Sequence, residues 1–225
     1  HPDDVEFLCS GTLAKFAERG HKIYISTLSN GDKGSLEVPP EKLGEIRIEE
    51  SRKAANVIGG QYKWLGFNDC EIYLNSESVH KVIDHVREVR ADMVFTLDPN
   101  DYHADHIAVS GIVTYAIFGA GVPHLKSKFS AHIPKRLYYC DTTFGLDFKP
   151  DFWVDISNTI ELKLKALSEH RSQIEWVKKH HAMDLLEDAR AQSRFRGLQA
   201  GVKYAEAFRY CPKHMHMGPV DIPPI

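Results

Sequence analysis

Lys22-Ile23-Tyr24-Ile25-Ser26-Thr27-Leu28 alternates apolar and polar positions and carries β-branched residues, so it reads as a strand. It runs into Ser29-Asn30-Gly31-Asp32-Lys33-Gly34-Ser35, a loop rich in turn formers. A helix is predicted next, over about 41–58, with Leu43, Ile46, Ala54 and Val57 on one side and Gly59-Gly60 as its stop. Tyr62–Leu65 then reads as a short strand. Strands alternating with helices in this way predict an α/β fold with a largely parallel sheet.

The same alternation continues on both sides. Upstream, residues 11–19 look helical and end at Gly20. Downstream, 77–89 is an amphipathic helix with Val79, Val82, Ile83, Val86 and Val89 at helical spacing. Met93–Leu97 has the character of a buried strand and ends at Asp98-Pro99-Asn100. The segment 105–118 is apolar nearly all round, which predicts a helix buried on most sides. Strands are expected at 136–141 and 152–156. One long helix is expected over 158–179, with Ile160, Leu164, Leu167, Ile174 and Val177 facing inward. A more polar helix follows at 184–200, and 212–225 reads as a tail. No Pro/Gly/Ser-rich linker divides the chain, so 1–225 is expected to be a single domain. The chain opens on His1 rather than Met, and His1-Pro2-Asp3-Asp4 reads like a strand end, so a first strand is expected upstream.

Composition narrows the function. The 28 basic residues are scattered among 31 acidic ones, for a net charge of −3, and they show no concentrated basic face of the kind that binds nucleic acid. No stretch approaches the ~20 consecutive apolar residues of a membrane span. Cys9, Cys70, Cys140 and Cys211 lie far apart with no CxxC pair, which fits a reducing, cytoplasmic location.

In open α/β sheets ligands bind beyond the carboxyl ends of the strands. That rule points to residues 1–6, to the loop 29–35 and to 98–106. His1, Asp3 and Asp4 put a histidine and two carboxylates within four residues; a plain turn with a helix cap is the competing explanation. Asp98-Pro99-Asn100-Asp101-Tyr102-His103-Ala104-Asp105-His106 brings two histidines and several carboxylates to the entry of an apolar helix, with a solvated loop as the alternative. Catalytic zinc typically takes three protein ligands and leaves a fourth position to water. The pattern is consistent with His1, Asp4 and His106 as that set. Zinc so held lowers the pKa of water from ~16 to ~7. Asp3 would then accept a proton, and His103 would donate one to the leaving nitrogen, oriented by Asp105 or a neighbouring carboxylate.

With these motifs the sequence resembles the LmbE-like, or PIG-L-type, N-deacetylases. His1, Pro2, Asp3, Asp4 and Glu6 match the family's His-Pro-Asp-Asp-x-Glu, and His103, Asp105 and His106 match its His-x-Asp-His. Arg47, Glu50, Ala54 and Ile58-Gly59 are similar to a helical Arg-x-x-Glu segment, His170-Arg171-Ser172-Gln173 to His-x-Ser-Gln, and Tyr204 to Phe208 to the terminal segment. The resemblance implies a Rossmann-like three-layer sandwich, one Zn2+ per chain on His1, Asp4 and His106, and Asp3 as general base. It implies His103 paired with Asp105 as acid and oxyanion stabiliser, and Arg47 as a substrate contact. The implied reaction is hydrolysis of an N-acetyl group on an N-acetylglucosamine-type sugar or conjugate. A homo-oligomer is compatible with it.

Without the resemblance, Arg47 and Glu50 read equally well as a helix-surface ion pair. His170 reads as a satisfied core histidine, and His180-His181 and His214-x-His216 as surface residues. Two other functions compete. A metal phosphoesterase also suits His/Asp clusters, but it usually needs two metals ~3.5–4 Å apart and therefore more ligands. A non-catalytic carbohydrate-binding module is disfavoured by the intact acid, base and ligand set.

Overall fold

A computed structural model describes residues 1–214, and the expected tail lies beyond it from 215 to 225. The chain forms two compact units, one made of 1–71 and 153–206, the other of 72–152 and residues from 207 onward.

The first unit opens with two short helices, α1 (Asp4–Leu8) and α2 (Ser10–Glu18). They break at Cys9, whose backbone is non-helical at φ −145°. The first amides of α2 need acceptors from outside the helix, and Glu206 supplies them. Its carboxylate takes the N–H of Gly11 at 3.0 Å and that of Thr12 at 2.7 Å. The sequence then gives β1 (Ile23–Ser29), α3 (Pro40–Val57) and β2 (Gly60–Phe67). β1 and β2 pair in parallel from Ile23↔Gly60 to Thr27↔Trp64, as a strand–helix–strand unit requires. Ile23 and Ile25, on one face of β1, pack with Ala14, Ala54, Ala55, Ile58 and Ala166.

The expected long helix over 158–179 is two helices, α6 (Ile160–Leu167) and α7 (Arg171–His181). Side-chain partners that periodicity does not register cause the break. His170 leaves the helical region at φ −80°, ψ 58°. Its ring is fully buried, with Nε2 3.1 Å from Glu6 Oε2. Glu50 then caps α7, accepting from Ser172 N at 2.9 Å and Ser172 Oγ at 2.6 Å. Glu50 is therefore a cap, not the surface ion-pair partner of Arg47. α8 (Leu185–Ala200) completes the helices of this unit.

The second unit contains α4 (Ser76–Val89), β3 (Met93–Thr96), α5 (Ala104–Ala120) and β4 (Arg136–Cys140). Asn75 and Ser78 close α4 with a reciprocal capping box. The buried Arg87 guanidinium donates to the carbonyls of Gly119, Ala120, Val122 and Leu125, satisfying the C-terminal end of α5. α5 buries Ile112, Val113, Ala116, Ile117 and Ala120, yet Ile107, Tyr115 and Phe118 are exposed, so it is less enclosed than its composition predicts. β5 (Phe152–Asp155) and β6 (Ala205–Tyr210) are the remaining strands among the described residues, and within this unit β6 pairs with β4 from Tyr138↔Tyr210 to Cys140↔Phe208. β3 and β4 are parallel, whereas β6 lies antiparallel to β4. The fold is mixed α/β with one small parallel sheet and one mixed sheet. The antiparallel member is β6, where the sequence reading places no strand between the polar helix and the tail. No helix among the described residues is long and apolar enough to cross a membrane.

Candidate functional site

In the first unit the chemistry gathers where α1 begins. Asp3, the N-cap residue, is held at φ 99°, ψ −27°, an uncommon conformation for a residue with a side chain and of the kind that clusters at functional sites. His1 Nδ1 lies 3.2 Å from Asp4 Oδ2, and His1 Nε2 lies 3.1 Å from Asp69 Oδ1. Two ligands ~2.0 Å from a tetrahedral zinc lie roughly 3.3 Å from each other. The His1–Asp4 spacing therefore fits two neighbouring ligands of one ion, and Asp69 fits the carboxylate that orients a ligating imidazole from its other nitrogen.

Burial raises the Asp3 carboxyl from 3.8 to about 6, against the pull of Arg47, with Asp4 adding to the rise and His170 and His1 opposing it. Such a group is mostly ionised at neutral pH and still basic enough to take a proton. Arg47, expected to touch substrate, is itself buried, 3 % exposed. Its guanidinium donates to Pro2 O at 2.8 Å and Gly31 O at 3.0 Å, and it sits 3.5 Å from Asp3 Oδ1. Gly31 has φ +66°, and a Cβ there would fall 2.5 Å from the guanidinium carbon. The loop 29–35 thus closes over Arg47 only because residue 31 has no side chain. The same loop reaches Asp69, whose N–H donates to Asp32 Oδ1 at 2.8 Å.

In the second unit β3 ends at a tight turn. Asp98 is 1 % exposed and accepts from Asn100 N at 2.9 Å and Arg209 Nη2 at 2.6 Å. Burial raises its pKa, although the Asn100 amide and Arg209 both work to lower it. The turn leads to His103, the N-cap of α5. His103 Nδ1 accepts the backbone N–H of Asp105 at 3.2 Å. An imidazole accepting at Nδ1 carries its proton on Nε2 when neutral, so His103 is set up as an Nε2 donor. The pairing of His103 with Asp105 runs through that backbone amide. His106 is 2 % exposed, its ring centroid 4.9 Å from that of His103. His106 Nδ1 stands 3.1 Å from Asp101 Oδ1, in ion-pair contact rather than an aligned hydrogen bond.

The first unit thus groups His1, Asp3, Asp4 and Arg47, and the second groups His103, Asp105 and His106. Sequence reasoning placed Asp101 in the 98–106 cluster without a role of its own and passed over Asp69; each is set against a ring nitrogen of a predicted ligand. Asp69 had a usable signal, since it follows the carboxyl end of β2, where the strand-end rule looks for ligands. Outside these clusters, His214 is 8 % exposed with Nε2 3.0 Å from Pro134 O, so it is not the surface histidine expected, and His216 lies outside the described residues.

A protein-family model described as PIG-L, GlcNAc-PI de-N-acetylase, matches residues 1–117. The diacetylchitobiose deacetylase of Thermococcus kodakarensis is 28% identical over 220 residues, covering 94% of this chain and 80% of that protein. The crystal structure of the conserved protein TT1542 from Thermus thermophilus superposes with TM-score 0.82 at 30% identity, over 96% of this chain and 93% of that one. That of the N,N'-diacetylchitobiose deacetylase from Pyrococcus horikoshii gives 0.81 at 25% identity, over 96% and 84%.

Proposed function

The chain belongs to the PIG-L, GlcNAc-PI de-N-acetylase, family, and on that premise we propose that it is a zinc-dependent hydrolase removing the N-acetyl group of an N-acetylglucosamine-type sugar or conjugate. The zinc ligands in this reading are His1, Asp4 and His106, one ion per chain. The observation that carries it is the approach of His1 Nδ1 to Asp4 Oδ2 at 3.2 Å, a ligand spacing inside the family's first motif.

Held by His1, Asp4 and His106, a zinc ion would supply Lewis acidity and would lower the pKa of water to about 7. Asp3 takes the proton of the attacking water as the new C–O bond forms. His103 holds a proton at Nε2, placed to stabilise the developing oxyanion and then to protonate the amine as the C–N bond breaks. The products are acetate and the free amino sugar. Asp105 supports this by fixing the tautomer of His103. Arg47 holds Asp3 from beneath and, through Gly31, the adjoining loop; a direct contact with the sugar is the further role the family suggests. The Rossmann-like three-layer architecture, a single catalytic domain over 1–225, a homo-oligomeric assembly and a cytoplasmic location belong to the same reading.

The test is acetate release from N-acetylglucosamine and N,N'-diacetylchitobiose by zinc-loaded protein, with the metal content measured alongside. We expect turnover that a chelator abolishes and that returns with one zinc per chain. Zinc-loaded, folded protein that releases no acetate from any N-acetylated sugar would refute the assignment.

A further inference from the structure

We infer that Asp101 is a positioning residue for His106, fixing the imidazole with its proton on Nδ1 so that Nε2 faces outward as a ready metal donor. The inference rests on the reading of His106 as a zinc ligand and deepens it. Asp101 and His106 are side chains buried to 0 % and 3 % exposure, with Oδ1 and Nδ1 3.1 Å apart. At that distance the negative charge of the carboxylate favours a proton over a bare lone pair on Nδ1, even though the two atoms are not aligned as a hydrogen bond. The same oxygen accepts the backbone N–H of His103 at 3.3 Å. One carboxylate oxygen therefore sets both the ring of His106 and the backbone of His103.

A second observation points the same way. Asp101 Oδ2 is buried with no hydrogen-bond partner among the described residues. A carboxylate kept dry and half satisfied costs free energy, and a cation arriving at His106 offsets that cost. The position is maintained by the turn behind it: Asp101 N donates to Asp98 O at 3.3 Å, and Asp98 is clamped by Arg209. Carboxylates placed behind a metal-bound histidine raise its basicity, and their loss typically lowers metal affinity by about 10–100-fold.

The experiment uses the full chain, stripped of metal, with zinc affinity measured by chelator competition and the His106 tautomer read from imidazole 15N shifts. Wild-type protein is expected to show His106 protonated on Nδ1. Asp101→Asn keeps the shape and one acceptor but loses the charge, and is expected to bind zinc about 10–100-fold more weakly. Asp101→Ala is expected to weaken binding at least as much and to release the tautomer to a mixture. His106→Ala separates the two readings. If His106→Ala binds zinc like wild type, His106 is not a ligand and the function proposed above loses its metal set. If His106→Ala abolishes binding while Asp101→Asn and Asp101→Ala bind within a few fold of wild type with Nδ1 still protonated, the positioning role of Asp101 is overturned. Should Asp101→Ala fail to fold, the near-isosteric Asn variant alone decides.

Discussion

Lys163 Nζ lies 2.7 Å from Glu206 Oε1, and neither side chain is more than 2 % exposed. The pair is the hub of a dry polar network. Lys163 also donates to Phe7 O at 2.5 Å, and Glu206 caps Gly11 and Thr12. It ties α6 and β6 to the junction of α1 and α2, just behind the segment bearing His1, Asp3 and Asp4. Removing one partner of such a pair strands a buried charge at a cost of about 3–5 kcal/mol, whereas removing both costs far less than the sum. Lys163→Met is therefore expected to lower unfolding free energy by about that amount in urea titrations at neutral pH. Lys163→Met combined with Glu206→Gln should recover part of the loss. Strict additivity would show that the two side chains do not act as a pair.

Little of that network was legible in the sequence. β1, α3 and β2 were, because the period of Ile23 and Ile25 and the stop at Gly59-Gly60 are local signals. The two motif clusters were legible as well, since each is contiguous in sequence and sits at the end of a strand or the start of a helix. The break at His170 was not, because it depends on Glu6 and Glu50, each more than a hundred residues away. The roles of Asp69 and Asp101 were missed for a related reason. Both lie beyond the carboxyl end of a strand, which marks them as candidates, but a carboxylate in a loop looks the same whether it meets water or an imidazole, and tertiary structure decides which. Lys163 falls among apolar residues on α6, where nothing local announces a partner at Glu206.

His170 makes stability depend on pH. Burial lowers its pKa, but the charge and close contact of Glu6, with Asp3 adding to them and Arg47 opposing, hold it above the ordinary 6.5. A histidine whose pKa is raised by folding binds its proton more tightly in the native state. The stabilisation is fully present below 6.5 and is lost as pH rises through the higher folded value. Urea midpoints in wild type should therefore fall as pH rises above the ordinary histidine value of 6.5, and His170→Gln should flatten that fall. Equal slopes in the two proteins would mean that His170 titrates alike folded and unfolded.

Gly31 and Gly20 separate backbone strain from contact. Both have positive φ, +66° and +83°, but a Cβ at residue 20 meets nothing within 4 Å, whereas at residue 31 it would strike Arg47. Gly20→Ala should cost only the left-handed penalty, roughly 1–2 kcal/mol, and leave acetate release unchanged. Gly31→Ala should cost more and should depress kcat, because displacing the guanidinium loosens its hold on Pro2 and Asp3. Equal effects on turnover would show that the loop does not act on the site through Arg47.

Arg47 and Asp3 allow the roles of holder and base to be told apart. Asp3→Asn preserves shape but cannot take a proton, so zinc should still bind while kcat falls by about 10²–10⁴. Arg47→Lys keeps a charge but loses the planar fork that reaches Pro2 O and Gly31 O together. If Arg47 acts by fixing Asp3, the loss appears in kcat and in folding stability, with KM nearly constant. If it binds the sugar directly and equally in ground and transition states, KM rises and kcat is spared. The buried guanidinium and its two carbonyl acceptors favour the first outcome, and steady-state kinetics of Arg47→Lys on N,N'-diacetylchitobiose, beside its urea midpoint, will distinguish them.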